Sequence, residues 1–175
     1  MALTDDDFKT IEEHDQAIID RWNAVVKEDD TVFFLGDASM HRIKFTYLKS
    51  IFGQLKGKIV WLKGNHDSHV SEAWIRELRQ VCNIVEFKDY AEIFFTDETH
   101  KTGFRRLVMF HYPIAEWDQM HRGALHFHGH LHGGESGLEA YRARDMGMDA
   151  TGMIVVEMER AINDAMTGAI KGHHV

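Results

Sequence analysis

The sequence contains one cysteine, Cys82, so no disulfide can close within the chain. That usage suits a reducing compartment and a cytoplasmic protein. Pro113 is the only proline, so the chain is not punctuated by proline-rich loops or linkers. No apolar run approaches the roughly 18 residues that a membrane-spanning helix needs. The opening residues, Met1 to Asp7, are acidic and lack the apolar core of a secretory signal. A cationic surplus is also missing. Lys and Arg number 20 against 28 Asp and Glu, a net charge of −8, and such a surface repels a long phosphate backbone. Long nucleic acid is therefore disfavoured as a partner. A bound cation can still draw in a single phosphate, because it dominates its local field. With 175 residues, 44% of them hydrophobic, and no internal repeat or linker, the chain reads as one domain spanning residues 1–175.

Histidine is abundant, at 13 residues, and its placement is more informative than its number. Ile11 to Val26 has the apolar spacing of an amphipathic helix, with Thr10 and Glu13 placed as a capping box. Thr31 to Leu35 reads as a strand apolar on both faces, and Ile43 to Phe52 as a helix closed by Gly53. Lys58 to Lys63 is a strand, Ser71 to Val81 a helix, and Ile84 to Phe95 one or two strands about Asp89. Arg106 to Phe110, Leu125 to His128 and Ile154 to Val156 complete the strands, and Glu157 to Met166 ends the pattern as a helix. Alternating helices and strands predict an α/β layered sheet sandwich flanked by helices.

Four of these strands run into polar clusters: Gly36-Asp37, Gly64-Asn65-His66-Asp67, His111-Tyr112-Pro113 and Gly129-His130-Leu131-His132. Open α/β sheets place their sites at such carboxyl ends. Glycines there let the backbone turn sharply, so that short side chains can converge. The Asp, Asn and His donors form a mixed oxygen and nitrogen set suited to Mn, Fe, Co, Ni or Zn, and without thiolates they do not describe a structural zinc knuckle. Alone, Gly-Asp is an ordinary turn and a strand-end histidine is usually just hydrogen-bonded. Taken together and in this order, they predict that Asp37, Asn65, His111, His130 and His132 meet around a cation.

The ordered set Gly-Asp, Gly-Asn-His-Asp, His and Gly-His-x-His resembles the signature of calcineurin-like metallophosphoesterases, the small single-domain bacterial and phage type most closely. The likeness extends from about Phe8 to about Met158, and includes Arg144 to Asp149. The resemblance implies a metallophosphoesterase-like sandwich and a phosphodiesterase or phosphomonoesterase in which metal-activated water attacks phosphorus. Its substrate would be a small phosphoester or nucleotide. It also implies roles. Asp37 would bridge two metals, Asn65, His111 and His130 would complete the second, and His132 would bind the first. His66 would contact the phosphate or protonate the leaving oxygen, with Asp67 as its orienting partner.

The family usually begins with a strand ending in Asp-x-His, and this sequence has no such motif. The missing part falls before Met1, whether the true start lies upstream, the sequence is shortened or the motif has been lost, and each case leaves one well-formed metal site and one poor one. Asp5 and Asp7 read as solvated acids ahead of the first helix. The competing reading is a catalytically impaired relative that binds metal, phosphate or a protein. A histidine-rich metal store is a third reading, and Asp37 and Asn65 in register at strand ends argue against it. Arg122, Arg142 and Arg144 are candidates for a phosphate pocket. His14, His41, His69, His100, His121, His126 and His128 read as surface or packing residues, His173-His174 as a tail feature, and Met146, Met148 and Met153 as core.

Overall fold

A computed structural model describes residues 8–39 and 43–172. They form two sheets. In the first, β1 (Thr31–Phe34), β2 (Lys58–Leu62) and β3 (Asn83–Lys88) run parallel in that order. In the second, β4 (Tyr90–Thr96) pairs antiparallel with β5 (Phe104–Phe110), and β6 (Leu125–His128) and β7 (Ala143–Asp145) follow in parallel.

The side-chain alternation of β2 shows how the layers stack. Ile59 and Trp61 pack with Trp22 of α1 (Ile11–Val25), Leu48 and Phe52 of α2 (Phe45–Phe52), and Ile75 and Leu78 of α3 (Glu72–Leu78). Val60 and Leu62 point the other way, onto Leu107 and Met109 of β5 and Leu125 and Phe127 of β6. A strand buried on both faces must be apolar at every position, which is why Ile59 to Leu62 lacks polar alternation. Trp61 anchors the helical side. It is fully buried, stacks on Phe52 at 4.8 Å and meets Phe34 and Phe87 edge-on. A third cluster, with Val108, Trp117 and Met120, covers the outer face of the second sheet. The late helix α5 (Met158–Met166) buries Ala161 and Ala165 in the layer between the sheets.

Local chemistry sets the boundaries. The Thr10 hydroxyl accepts the Glu13 N–H at 3.2 Å, one half of the expected capping box. The other half is displaced by one residue, since Glu13 reaches the Lys9 N–H. β1 is less buried than its composition suggests: it is an edge strand, and Val32 to Phe34 are only half-buried. Ile154 to Val156 forms no ladder. It follows Met153, whose φ is +59°, and sends Val155 and Val156 into different clusters. Two short elements carried no sequence signal: β7, and α4 (Met148–Thr151), which Gly152 closes in the left-handed conformation. Met153 and Met146 join the core as expected, whereas Met148 is exposed. No described helix is long and apolar enough to cross a membrane.

Below the start of β5, Asp97 and Arg105 form a buried ion pair at 2.6 Å. Arg105 also donates to the carbonyls of Arg122 and Gly123. Hydrogen bonds from Thr99, then Arg105, hold the Asp97 carboxyl down at about 2. A folded pKa below the unfolded value of about 3.9 means that this stabilisation is present above pH 4 and is lost as pH falls toward 2. Asp97→Ala leaves the guanidinium uncompensated and is expected to cost about 3–5 kcal/mol, read as a lowered urea midpoint at neutral pH.

Candidate metal centre

The loops after β1, β2, β5 and β6 meet at one rim of the sandwich. The first contact is made by the backbone: His111, just past β5, donates from Nδ1 to the carbonyl of Leu35, just past β1, at 2.7 Å. That bond ties the second sheet to the first and fixes the imidazole tautomer, because a carbonyl can only accept. In the neutral ring Nε2 is then a lone pair.

The surroundings of this lone pair define the site. Asn65 Oδ1 lies 3.0 Å from it and Asp37 Oδ2 lies 3.2 Å from it. His111 is 1% exposed, and Asp37 Oδ2 is buried with no hydrogen-bond partner. With the ring neutral, three electron-rich atoms thus converge, an arrangement that is repulsive unless a cation, a metal ion or a proton on Nε2, fills it. Asp37, His111 and His130 each present a ligand atom, all within 4.8 Å of one another. The donor set suits a divalent metal between hard and soft. The residues present therefore fit the ion that the sequence pattern predicts.

Backbone strain marks the same place. Among the described residues, five non-glycine residues have positive φ, and Asp37 at +54°, His130 at +75° and His132 at +47° are three of them. Such conformations cost about 1–3 kcal/mol each and gather where function requires them. Glycines make the close approach possible. A Cβ on Gly64 would lie 2.0 Å from Asp37 Oδ1, and one on Gly36 would lie 2.3 Å from the Gly64 nitrogen.

The remaining predicted residues separate. His66 sits in a short 3-10 turn, residues 65–69, and its backbone N–H donates to Asp37 Oδ1 at 2.8 Å. His130 is edge-on to His111 and to Tyr112. Its basicity is lowered by desolvation first, then by His111, with smaller effects of the same sign from His132 and His66, while Asp37 opposes them. His132 is half-exposed, and its Nδ1 pairs with Asp149 at 2.9 Å, which leaves Nε2 as its other ring nitrogen. Asp67 is 2% exposed, and its oxygens accept from the N–H groups of Asp37, Ala38, Gly64 and the Trp61 indole. The carboxylate expected to orient His66 is thus engaged by the backbone on either side of the site.

The three arginines are held elsewhere. Arg144 pairs with Asp164 and donates to the carbonyls of Tyr141 and Ala143, Arg142 donates to Gly168 and Gly123, and Arg122 reaches Gln119. His126 and His128 are buried as packing residues. His126 donates to the Val108 carbonyl and accepts the Ile114 N–H, and burial and then His128 push its pKa down to about 4. Asp5, Asp7, His41 and His173-His174 lie outside the described residues. Sequence reasoning missed the Leu35 carbonyl and the Trp61 indole as parts of the site. A backbone acceptor leaves no trace in side-chain identity, and a tryptophan in an apolar run reads as core.

No family model matches the chain. An uncharacterized protein of Methanocaldococcus jannaschii is 26% identical over 125 residues, covering 71% of this chain and 57% of the relative. The chain thus spans little more than half the length of that curated relative. A crystal structure of a protein of unknown function from Aquifex aeolicus aligns with 90% of this chain and 86% of its own, at 20% identity and a TM-score of 0.61, and shares the fold. A novel archaeal phosphodiesterase aligns with 70% of this chain and 67% of its own at 19% identity, with a TM-score of 0.42, too slight a likeness to bear on function.

Proposed function

We propose that this chain is a metal-dependent phosphoester hydrolase acting on a small phosphoester or nucleotide, as a phosphodiesterase or phosphomonoesterase. The observation that carries the reading is the meeting of Asp37 Oδ2, Asn65 Oδ1 and the His111 Nε2 lone pair. Asp37, Asn65, His111 and His130 would hold a divalent ion, with Mn, Fe, Co, Ni and Zn as the candidates. Such an ion supplies Lewis acidity toward a phosphoryl oxygen and toward water.

The protein's own part is positional. The His66 backbone N–H fixes Asp37 Oδ1, which leaves Oδ2 for the ion. His66 follows Asn65 in the same turn, and in this reading its ring gives a proton to a departing alkoxide. Phosphoester chemistry enters from the Gly-Asp, Gly-Asn-His-Asp, His and Gly-His-x-His order. A cytoplasmic location is part of the same proposal and rests on the single cysteine.

Hydrolysis of an aryl phosphodiester with added Mn tests this reading. His66→Ala is expected to lower kcat by about 10²–10⁴-fold, the usual contribution of a positioned acid. Asn65→Ala is expected to raise the Mn requirement. Equal rates in both variants and the wild type would remove the mechanism. The second reading is a metal-binding protein without turnover, for which the cluster of Asp37, His111 and His130 would suffice by itself. Stoichiometric Mn with no hydrolysis of mono- or diesters would select it.

A further inference from the structure

We infer that Asp67 is a positioning residue that sets the cation affinity of the centre, rather than the partner of His66. The inference rests on the metal-centre reading above and deepens it. Asp67 Oδ2 accepts from the N–H of Asp37, the N–H of Gly64 and the Trp61 Nε1–H, each at 2.9 Å, and Oδ1 accepts from the N–H of Ala38 at 3.0 Å. Two donors belong to the loop after β1, one to the loop after β2 and one to the core face of β2. A single buried carboxylate therefore spans the two loops that carry Asp37 and Asn65.

The arrangement is reciprocal. Asp67 grips the backbone of Asp37, and the Asp37 side chain grips the backbone of His66, next to Asp67. This closed circuit holds Asp37 at its left-handed φ of +54° and spends Oδ1 on the protein, so that only Oδ2 faces the His111 ring. Groups that orient ligands in this way typically change metal affinity by about 10–100-fold when altered. Three N–H donors crowd Oδ2, Oδ1 takes the Ala38 N–H, and among the described hydrogen bonds none joins Asp67 to the His66 ring.

Calorimetric titration of the full chain with Mn(II) tests the inference. Asp67→Asn keeps the shape but turns one oxygen into a donor facing other donors. It is expected to weaken Mn binding about 10–100-fold, with a matching rise in the Mn concentration for half-maximal hydrolysis. His66→Ala is expected to bind Mn as the wild type does. Should Asp67→Asn fail to fold, as judged by circular dichroism, Trp61→Phe serves instead. It keeps the carboxylate and removes one donor, for an expected loss of about threefold, the worth of one modest hydrogen bond. Unchanged Mn affinity in the folded variant, with a collapsed rate, would return Asp67 to His66 and overturn the inference. A wild type that takes up no Mn would overturn the metal centre itself, a different result from a tightly binding Asp67→Asn.

Discussion

Asp37→Asn is expected to abolish stoichiometric metal binding and to make the metal-free protein more stable. The carboxylate oxygen that faces His111 Nε2 is buried and unpartnered, and Asn65 Oδ1 crowds the same lone pair. An amide at residue 37 can keep its oxygen on the His66 N–H and turn its NH₂ toward Nε2, replacing a repulsive contact with a hydrogen bond. Satisfying such a buried group is worth about 1–3 kcal/mol. Losing the cation removes several kcal/mol of charge stabilisation from the reaction, on the order of a 10³-fold fall in kcat/KM. Thermal unfolding in chelator and Mn calorimetry measure the two halves. A variant that binds Mn normally, or that melts well below the metal-free wild type, would refute the assignment of Asp37 Oδ2 as a ligand atom.

Gly36→Ala is expected to be the most damaging single-methyl change near the site. The residue has φ +94°, and an added Cβ would lie 2.3 Å from the Gly64 nitrogen and 2.5 Å from the Leu62 carbonyl oxygen. Both are backbone atoms, so no side chain can swing aside to relieve the clash. Separating the two loops breaks the bonds from Asp37 and Ala38 to Asp67. Overpacking of this kind with left-handed strain should cost about 3 kcal/mol or more, seen as a lowered urea midpoint and lost Mn binding. Gly103 provides the control. It also has positive φ, but nothing lies within 4 Å of its Cβ position, so alanine there should cost only about 1 kcal/mol.

The parts of this fold that were legible in the sequence are those dictated by periodicity. The Trp22 stripe of α1 and the uninterrupted apolar run of β2 each state their burial outright, because a helix face and a doubly covered strand leave no alternative. The ligand loops were legible for another reason: three strand ends carry glycine followed by Asp, Asn or His, a fourth carries His111, and four polar ends in one chain constrain one another. What escaped reading depends on context. β7 is three residues long and pairs through its backbone, and Ile154 to Val156 has strand composition but no neighbour to pair with. His132 and Arg144 show the same limit among side chains. Their partners, Asp149 and Asp164, lie 17 and 20 residues away, and only the folded chain reveals that they are engaged.

The centre draws its donors from two separate layers. Asp37 and Asn65 follow strands of the three-stranded sheet, and His111 and His130 follow strands of the four-stranded one. An ion bound by all four would act as a rivet through the seam of the sandwich. Its affinity would become mechanical strength between the halves, since whatever binds only the assembled form adds to the work of prising it apart. Chemistry and cohesion at this rim would then rise and fall with the same bound ion.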